Sequence, residues 1–496
     1  MTSASYVYQE FQPMVREATP KPTPCLMSKR KNNQRDLALQ ALVTRFETSK
    51  EPGNTLFLSE EEFDELLIHY FNKHDFDRTL AVADLAISQH NFTPEFYKWK
   101  ALIHKINLEE REALEALEKL SIYAPNDEES LMLRLEVLIH FEKRQEARFI
   151  LDQLQSQVEG DEKHSLLAFF DGLLLMQTKR YDESWRAFVE AVRLDPFQEP
   201  ALDELLNATE FEYLRTQLGN VLQQVLNQNP FNDLVWYYLG LWYDDKGADH
   251  KAMEAFANAR SLQENPRYDL EYADKLFDLD QYQRALKVYG AYFDSQEAEE
   301  SYETYMRVGR SYQMLGDIDK AKASFFRAVE LDPNMYDTYQ HLGECFVVEE
   351  KWGVAAYNYG RAVEQLNHTE DCWLGLALCQ AAMNEAEEAE TAFLQTLKMN
   401  DRYSEAVVAY AIFMVDCGRE GEALNLMAAS LERYQDAGLL YGTVALHLMC
   451  NKRQLALEYL NDALGNYYED HDLLLDWYPE LRNDAEVQAI FTLHRP

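Results

Sequence analysis

The 496 residues hold little that would staple, lipid-anchor or charge-match the chain to a phosphate backbone. Cysteine is rare: six residues, Cys25, Cys345, Cys372, Cys379, Cys417 and Cys450, are scattered without paired spacing. That excludes a disulfide framework and fits a reduced compartment. No run approaches the roughly eighteen apolar residues of a membrane span. The opening MTSASYVYQEFQPMVREATPKPTPC lacks a basic start followed by an apolar stretch, so it does not read as a secretory signal. The Asn-x-Ser/Thr sites at Asn91, Asn207 and Asn367 then carry little meaning, and the reading is cytoplasmic. Basic residues are scarce too, 47 Lys+Arg against 86 Asp+Glu for a net charge of −39. Residues 1–50 carry eight basic and four acidic residues, so residues 51–496 carry −43. So acidic a body repels nucleic acid and anionic membranes, which need a basic face to release counterions. Its charge serves solubility or draws basic partners.

What the chain does have is self-similarity. A step of 34 residues carries Gly309 onto Gly343, Ala377 and Ala411, and Ala321 onto Ala355, Ala389 and Ala423. The same step carries Phe325 onto Tyr359, Phe393 and Met427. Backward, Trp236, Leu239, Gly240, Tyr243, Ala252, Phe256 and Ala259 fill the same places, as do Gly172, Ser184, Phe188, Ala191 and Pro196. The frame holds about twelve units, starting near 60, 94, 128, 165, 199, 233, 266, 302, 336, 370, 404 and 437. It slips only in the polar loop EGDEKH around 161–165, over 266–302 and at 437. A period of this length is the mark of a solenoid.

Within each unit apolar residues recur at helical spacing over two segments, broken by turns such as LGDID and DKGAD. Small residues at unit positions 8 and 20 (Gly309 and Ala321) let the two helices approach. Aromatics at positions 11 and 24 (Tyr312 and Phe325) fill the space beside that contact, and Trp236 and Tyr243 are assigned to the core. Pro333 lies just beyond the second helix. No strand-like alternation recurs, which predicts an all-α chain.

This pattern resembles the tetratricopeptide repeat: its Trp-x-x-Leu-Gly-x-x-Tyr…Ala…Phe…Ala…Pro signature is nearly intact in 236–259 and 305–333. The resemblance implies a right-handed α-solenoid superhelix of about twelve helix pairs, the first helix of each lining a concave groove. The stretch LFLSEEEFDELLIHYFNKHDFDRTLAVADLAI also looks like the start of long, largely uncharacterised bacterial proteins of this type. The expected organisation is a disordered basic, Pro-rich arm over 1–27 and an N-terminal helix and linker over 28–59. The solenoid follows over 60–470, with a C-terminal capping helix over 471–496.

Chemistry is harder to find. No GxxxxGK[ST], GxGxxG, GxSxG or HExxH motif occurs. The nearest metal signature, His368-Thr-Glu370-Asp-Cys372 with Cys379, spaces its cysteines seven apart, and buried thiols in helix packing explain it better. The acid clusters SEEEFDEL (59–66) and NEAEEAE (384–390) fall in first turns, where carboxylates suit the helix dipole. The chain therefore reads as no enzyme, with no cofactor and no metal.

In the resembling family, ligands touch positions 2, 5, 9, 12 and 13 of the first helix. Those positions give an apolar half, with Ile68, Phe71, Lys98, Leu102, Met132, Ile139, Phe169, Leu173 and Met176. They then give a polar, mostly acidic half, with Asp203, Asn207, Glu210, Tyr237, Asp244, Asp274, Phe277, Arg310, Gln313, Gln340 and Glu344, and Met306 beside them. A carboxylate clamp for a partner's C-terminus is absent, because Lys98 is followed by Leu102 where Asn is needed. The resemblance implies a scaffold or adaptor for a protein partner. The groove would take a peptide or helix with apolar and basic residues, and the plug could instead be the chain's own arm around Lys29-Arg30-Lys31. A structural homo-oligomer built through groove or termini is the alternative, and an enzyme or enzyme-regulatory subunit a more distant one.

Overall fold

The computed structural model describes residues 38–48, 56–208, 212–296, 298–366 and 368–495. The basic arm and Glu210 lie outside them. Among the described residues every regular element is helical. The helices gather into two compact bodies, one ending at Glu264 and the other starting at Asn265.

Each body is a file of six helix pairs. The first pair is Glu60–Asn72 with Phe76–Gln89, and the sixth is Asp233–Asp245 with Asp249–Leu262. The second body runs from Pro266–Asp278 with Tyr282–Phe293 to Ala437–Met449 with Arg453–Tyr467. The chain is thus an all-α solenoid of consecutive pairs. Within each body most first helices of successive pairs pack on one another, and each second helix packs between its own first helix and the next.

Gly309 shows why the pair is so close. A Cβ built there would lie 2.4 Å from Phe325 Cε1, on the partner helix of the same pair. Gly172 under Phe188 and Gly240 under Phe256 repeat this at 2.4 Å, and Gly343 under Tyr359 at 2.8 Å. The aromatic at position 24 therefore lies on the glycine face itself, and the small residue makes room for a ring as well as for a helix.

A second regularity closes each pair. Residue 15 of every unit but the fifth has positive φ: His74, Leu108, Glu142, Lys179, Gly247, Asp280, Gly316, Glu350, Asn384, Gly418 and Asn451. The backbone N–H of Asp317 then reaches back to the Tyr312 carbonyl at 2.9 Å, and that of Arg419 to Met414 at 2.8 Å. This left-handed stop satisfies carbonyls the helix end would leave open. The fifth unit differs because its first helix, Glu199–Asn207, spans only nine residues.

Two assignments to the core are revised. Trp236 is half-buried, and its indole N–H donates to the Pro230 carbonyl at 2.9 Å, clamping the loop before its helix. Tyr97 and Tyr339 do the same through their hydroxyls, each at 3.1 Å to the carbonyl six residues back. Tyr243 is also half-buried, with the Lys251 ammonium 5.4 Å from its ring centre. Both side chains are amphipathic, and each keeps its polar edge or its cation at the surface.

The expected loop EGDEKH is mostly helix, since Asp161–Gln177 begins inside it. Gly160 at φ 100 caps that helix, and Asp161 and Glu162 in the first turn face the positive end of its dipole. The residues after 470 form two α-helices where one was expected, Asp472–Trp477 and Ala485–His494. Pro479, with no N–H, starts the short 3-10 turn between them, and Asp484 caps the second by accepting from Glu486 and Val487. Leu474, Leu481, Val487 and Phe491 cover the last pair against Tyr441 and Leu460. At the other end helix 38–48 buries Leu42 and Phe46 on the first pair beside Phe63 and Tyr70.

Candidate protein-binding face

The first helices carry every candidate among the described residues, and the structure treats the two bodies differently. In the N-terminal body much of the expected apolar stripe is closed. Leu102, Ile139 and Phe169 are buried, the last against Phe170 and Phe188 with ring centres 5.8 Å away in both cases. Tyr237 is buried between Tyr238 and Phe256, at 5.6 and 5.9 Å. These positions face neighbouring helices of a solenoid, where apolar area is consumed by repeat-to-repeat packing. Ile68, Phe71, Met132, Leu173 and Met176 stay half-buried, with Phe71 edge-on to Trp99 at 5.3 Å.

The charged candidates of this body are largely engaged. Lys98 sits among Glu129 at 2.8 Å, Glu95 at 3.3 Å and Asp127 at 3.3 Å. Asp203 accepts the Tyr238 hydroxyl. Asn207 is exposed and Asp244 half-buried. Deeper in the file the buried Lys105 ammonium pairs with Glu136 of the next first helix.

Ile68 also borders a cavity of about 290 Å³ lined by Leu39, Glu65, His69, Asn72 and Lys73. Burial, helped by Lys73, holds the His69 imidazole below its ordinary pKa, so it is neutral at neutral pH. Nearby Asp64, at position 5 of the first unit, has one buried carboxylate oxygen without a hydrogen-bond partner. Burial, reinforced by Glu95 and Glu60, pushes its pKa up to about 6.

In the C-terminal body the acidic candidates are satisfied by their own chain. Asp274 accepts the Tyr289 hydroxyl at 2.5 Å and pairs with Arg307 at 3.3 Å. Burial pushes its carboxyl up against the pull of those two partners. Glu344 accepts from Gln313 Nε2 at 2.8 Å, Gln340 Nε2 at 3.2 Å and His341 Nδ1 at 2.9 Å. Burial raises its pKa, but those bonds outweigh it and hold the carboxyl below the ordinary value. The expectation of a basic partner drew on these two carboxylates among others, and both are already bonded within the chain. Met306 is buried and takes a contact from the Thr338 hydroxyl at 3.2 Å. What remains open is Arg310, exposed, with its guanidinium 5.1 Å from the Phe277 ring centre.

Residues 302–335 match the tetratricopeptide-repeat family model. That match lies in a chain of successive helix pairs, all but the fifth closed by a left-handed stop. The chain carries a tetratricopeptide repeat at residues 302–335.

Among solved structures, the Cut9–Hcn1 hetero-tetramer of the APC/C is similar at 13% identity and TM-score 0.35, over 88% of this chain and 97% of that one. A tetratricopeptide-repeat protein from Parabacteroides merdae shows 14% identity and TM-score 0.40, over 55% of this chain and 99% of that one. YrrB, described as having an unusual peptide-binding site, shows 20% identity and TM-score 0.29, over 42% and 95%. None of the curated proteins matches the sequence.

The repeat architecture also accounts for the residues that resembled a metal site. Cys345, Cys372 and Cys379 are buried, and burial pushes Cys345 up to about 12 and Cys379 up to about 11. The Cys372 thiol donates to Gln340 Oε1 at 3.4 Å. These thiols pack repeats together and stay protonated at neutral pH. Ser59 caps the first cluster of acids in a reciprocal bond with Glu62, so those carboxylates serve a helix start. Sequence reasoning passed over Asp64, Arg307, Met314, Val348 and Leu378. Position alone was the available signal for Asp64, which stands at the same unit position as Lys98 and Met132.

Proposed function

We propose that this protein is a non-catalytic scaffold that holds a segment of a protein partner against the first helices of its C-terminal body. The observation that supports this most is an apolar face with no cover. Met314, Val348 and Leu378 stand on three successive first helices, exposed by 65%, 66% and 44%. Exposed apolar side chains on successive helices are candidates for an interaction site. On these helices the Glu344 carboxylate is taken up in internal bonds, whereas Arg310 stays exposed. The alternative sites in the N-terminal body are mostly consumed by repeat packing.

The test is affinity capture from the native extract with wild type and Val348→Asp. The variant places a charge on exposed surface, so its circular dichroism should match wild type while one set of captured proteins disappears. Identical captured sets from the two baits would rule out this face as the scaffold's working surface.

A further inference from the structure

The second helix of the ninth pair, Trp352–Val363, differs from the other second helices on its outer side. Ala355, Tyr359 and Ala362 turn inward and are buried. Away from them, Gly353, Val354 and Tyr357 are exposed, Tyr357 by 67%, and Gly360 is half-buried. Residues 353, 357 and 360 follow at steps of four and three, so they share one stripe of the helix. The helix holds a single charged residue, Arg361, where every other second helix holds at least two.

That stripe carries a projecting ring between two gaps. A Cβ at Gly360 would meet nothing within 4 Å, and one at Gly353 would meet only Met383 Sδ at 3.8 Å. Gly343 makes room for the Tyr359 ring inside the pair, whereas the space at Gly353 and Gly360 opens outward on either side of Tyr357. Phe326 and Leu394, both exposed, hold the place of Gly360 in the preceding and following repeats. A two-fold contact needs projection and gap on the same patch, because each copy must supply both.

Charge points to the same occupant. Two bodies of net −39 repel, and they approach at least cost where no carboxylate faces out. Between Trp352 and Val363 there is none. The charges stand at the ends, Glu350 and Lys351 before the helix and Arg361 and Glu364 at its close. Antiparallel helices set Lys351 against Glu364 of the other copy, and Glu350 against Arg361, each twice over. The present pairs Lys351–Glu349 at 3.1 Å and Arg361–Glu364 at 3.5 Å are exposed and yield at little cost. Glu349 keeps Lys322 at 2.5 Å when Lys351 leaves it.

We propose that two copies of this chain dimerise through the outer face of Trp352–Val363, the two helices antiparallel, with each Tyr357 seated over Gly360 of the other copy. The contact uses no first-helix residue. It therefore leaves the face of Met314, Val348 and Leu378 free, and the dimer presents that face twice.

Sedimentation velocity of the full chain tests this. One helix per copy with its flanks is a small interface, so the range to scan is about 1 to about 200 µM. Wild type should pass from monomer to dimer across it. Gly360→Leu fills the gap without meeting its own chain, and should weaken association about tenfold or more while circular dichroism and melting temperature hold or rise. Lys351→Glu and Glu364→Lys should each weaken it when alone. Mixed together, the two variants should dimerise with one another, because the mixed pair restores both attractive contacts. A wild type that stays monomeric throughout would overturn the proposal. So would a dimer that persists in Gly360→Leu, or a mixture that associates no better than its components.

Discussion

Asp64 shows how a single side chain departs from what its neighbours in the repeat do. Lys98, at the same unit position one repeat on, is surrounded by three carboxylates, whereas Asp64 has a buried oxygen without a partner. Its carboxyl titrates near 6, above the 3.8 ordinary for aspartate. The folded state therefore holds this proton longer than the unfolded chain, and stability falls as pH rises from about 4 to about 6. Asp64→Asn should recover that loss, about 1–2 kcal/mol above pH 6 once the part-exposed carboxylate is discounted for solvent screening, and almost nothing near pH 4. Urea denaturation at about pH 4 and about pH 8 checks it; the same gain at both would refute the assignment. Nothing in the local sequence marks Asp64, because its environment is made by burial in the fold, reinforced by Glu95 of the next repeat.

At the scale of the element, the left-handed stop is the point where local sequence and geometry most often disagree. Glycine or asparagine occupies it in five repeats, but Leu108 takes φ 62 with its side chain out in solvent. A non-glycine residue there costs about 1–2 kcal/mol, and in exchange the helix pair closes on the same register as its neighbours. Leu108→Gly should raise stability by about 0.5–1 kcal/mol, since the exposed leucine gives up no packing. A lower urea midpoint for the variant would contradict the turn geometry. The glycine–aromatic contact was half legible. The small residue and the ring both stand out in the repeat, but that the Phe325 ring occupies the space a Gly309 side chain would fill required the packed pair.

For the whole molecule, charge is the dominant long-range term. A net −39 repels itself in the folded state, and the buried pair Lys105–Glu136 is shielded from salt while the many exposed pairs are not. Exposed pairs are worth little, so the uncompensated acids decide the sign. Raising sodium chloride from about 10 mM to about 200 mM should lift the melting temperature by about 2–5 °C. A fall on the same scan would mean that the surface ion pairs outweigh the excess acid.

Periodicity, small residues at positions 8 and 20, and the absence of any alternating pattern were enough to determine an all-α chain of tandem helix pairs. These features are local, repeated many times, and each copy reinforces the others. Which first-helix residues remain open was decided only by tertiary structure. Leu102 and Met314 look alike as apolar groove positions, yet one is buried by the next repeat and the other stands in water. That difference depends on how far each neighbouring helix reaches across the face. Asp274 and Glu344 likewise read as free acids until Arg307, Tyr289 and Gln313, brought in from other helices, complete their bonds.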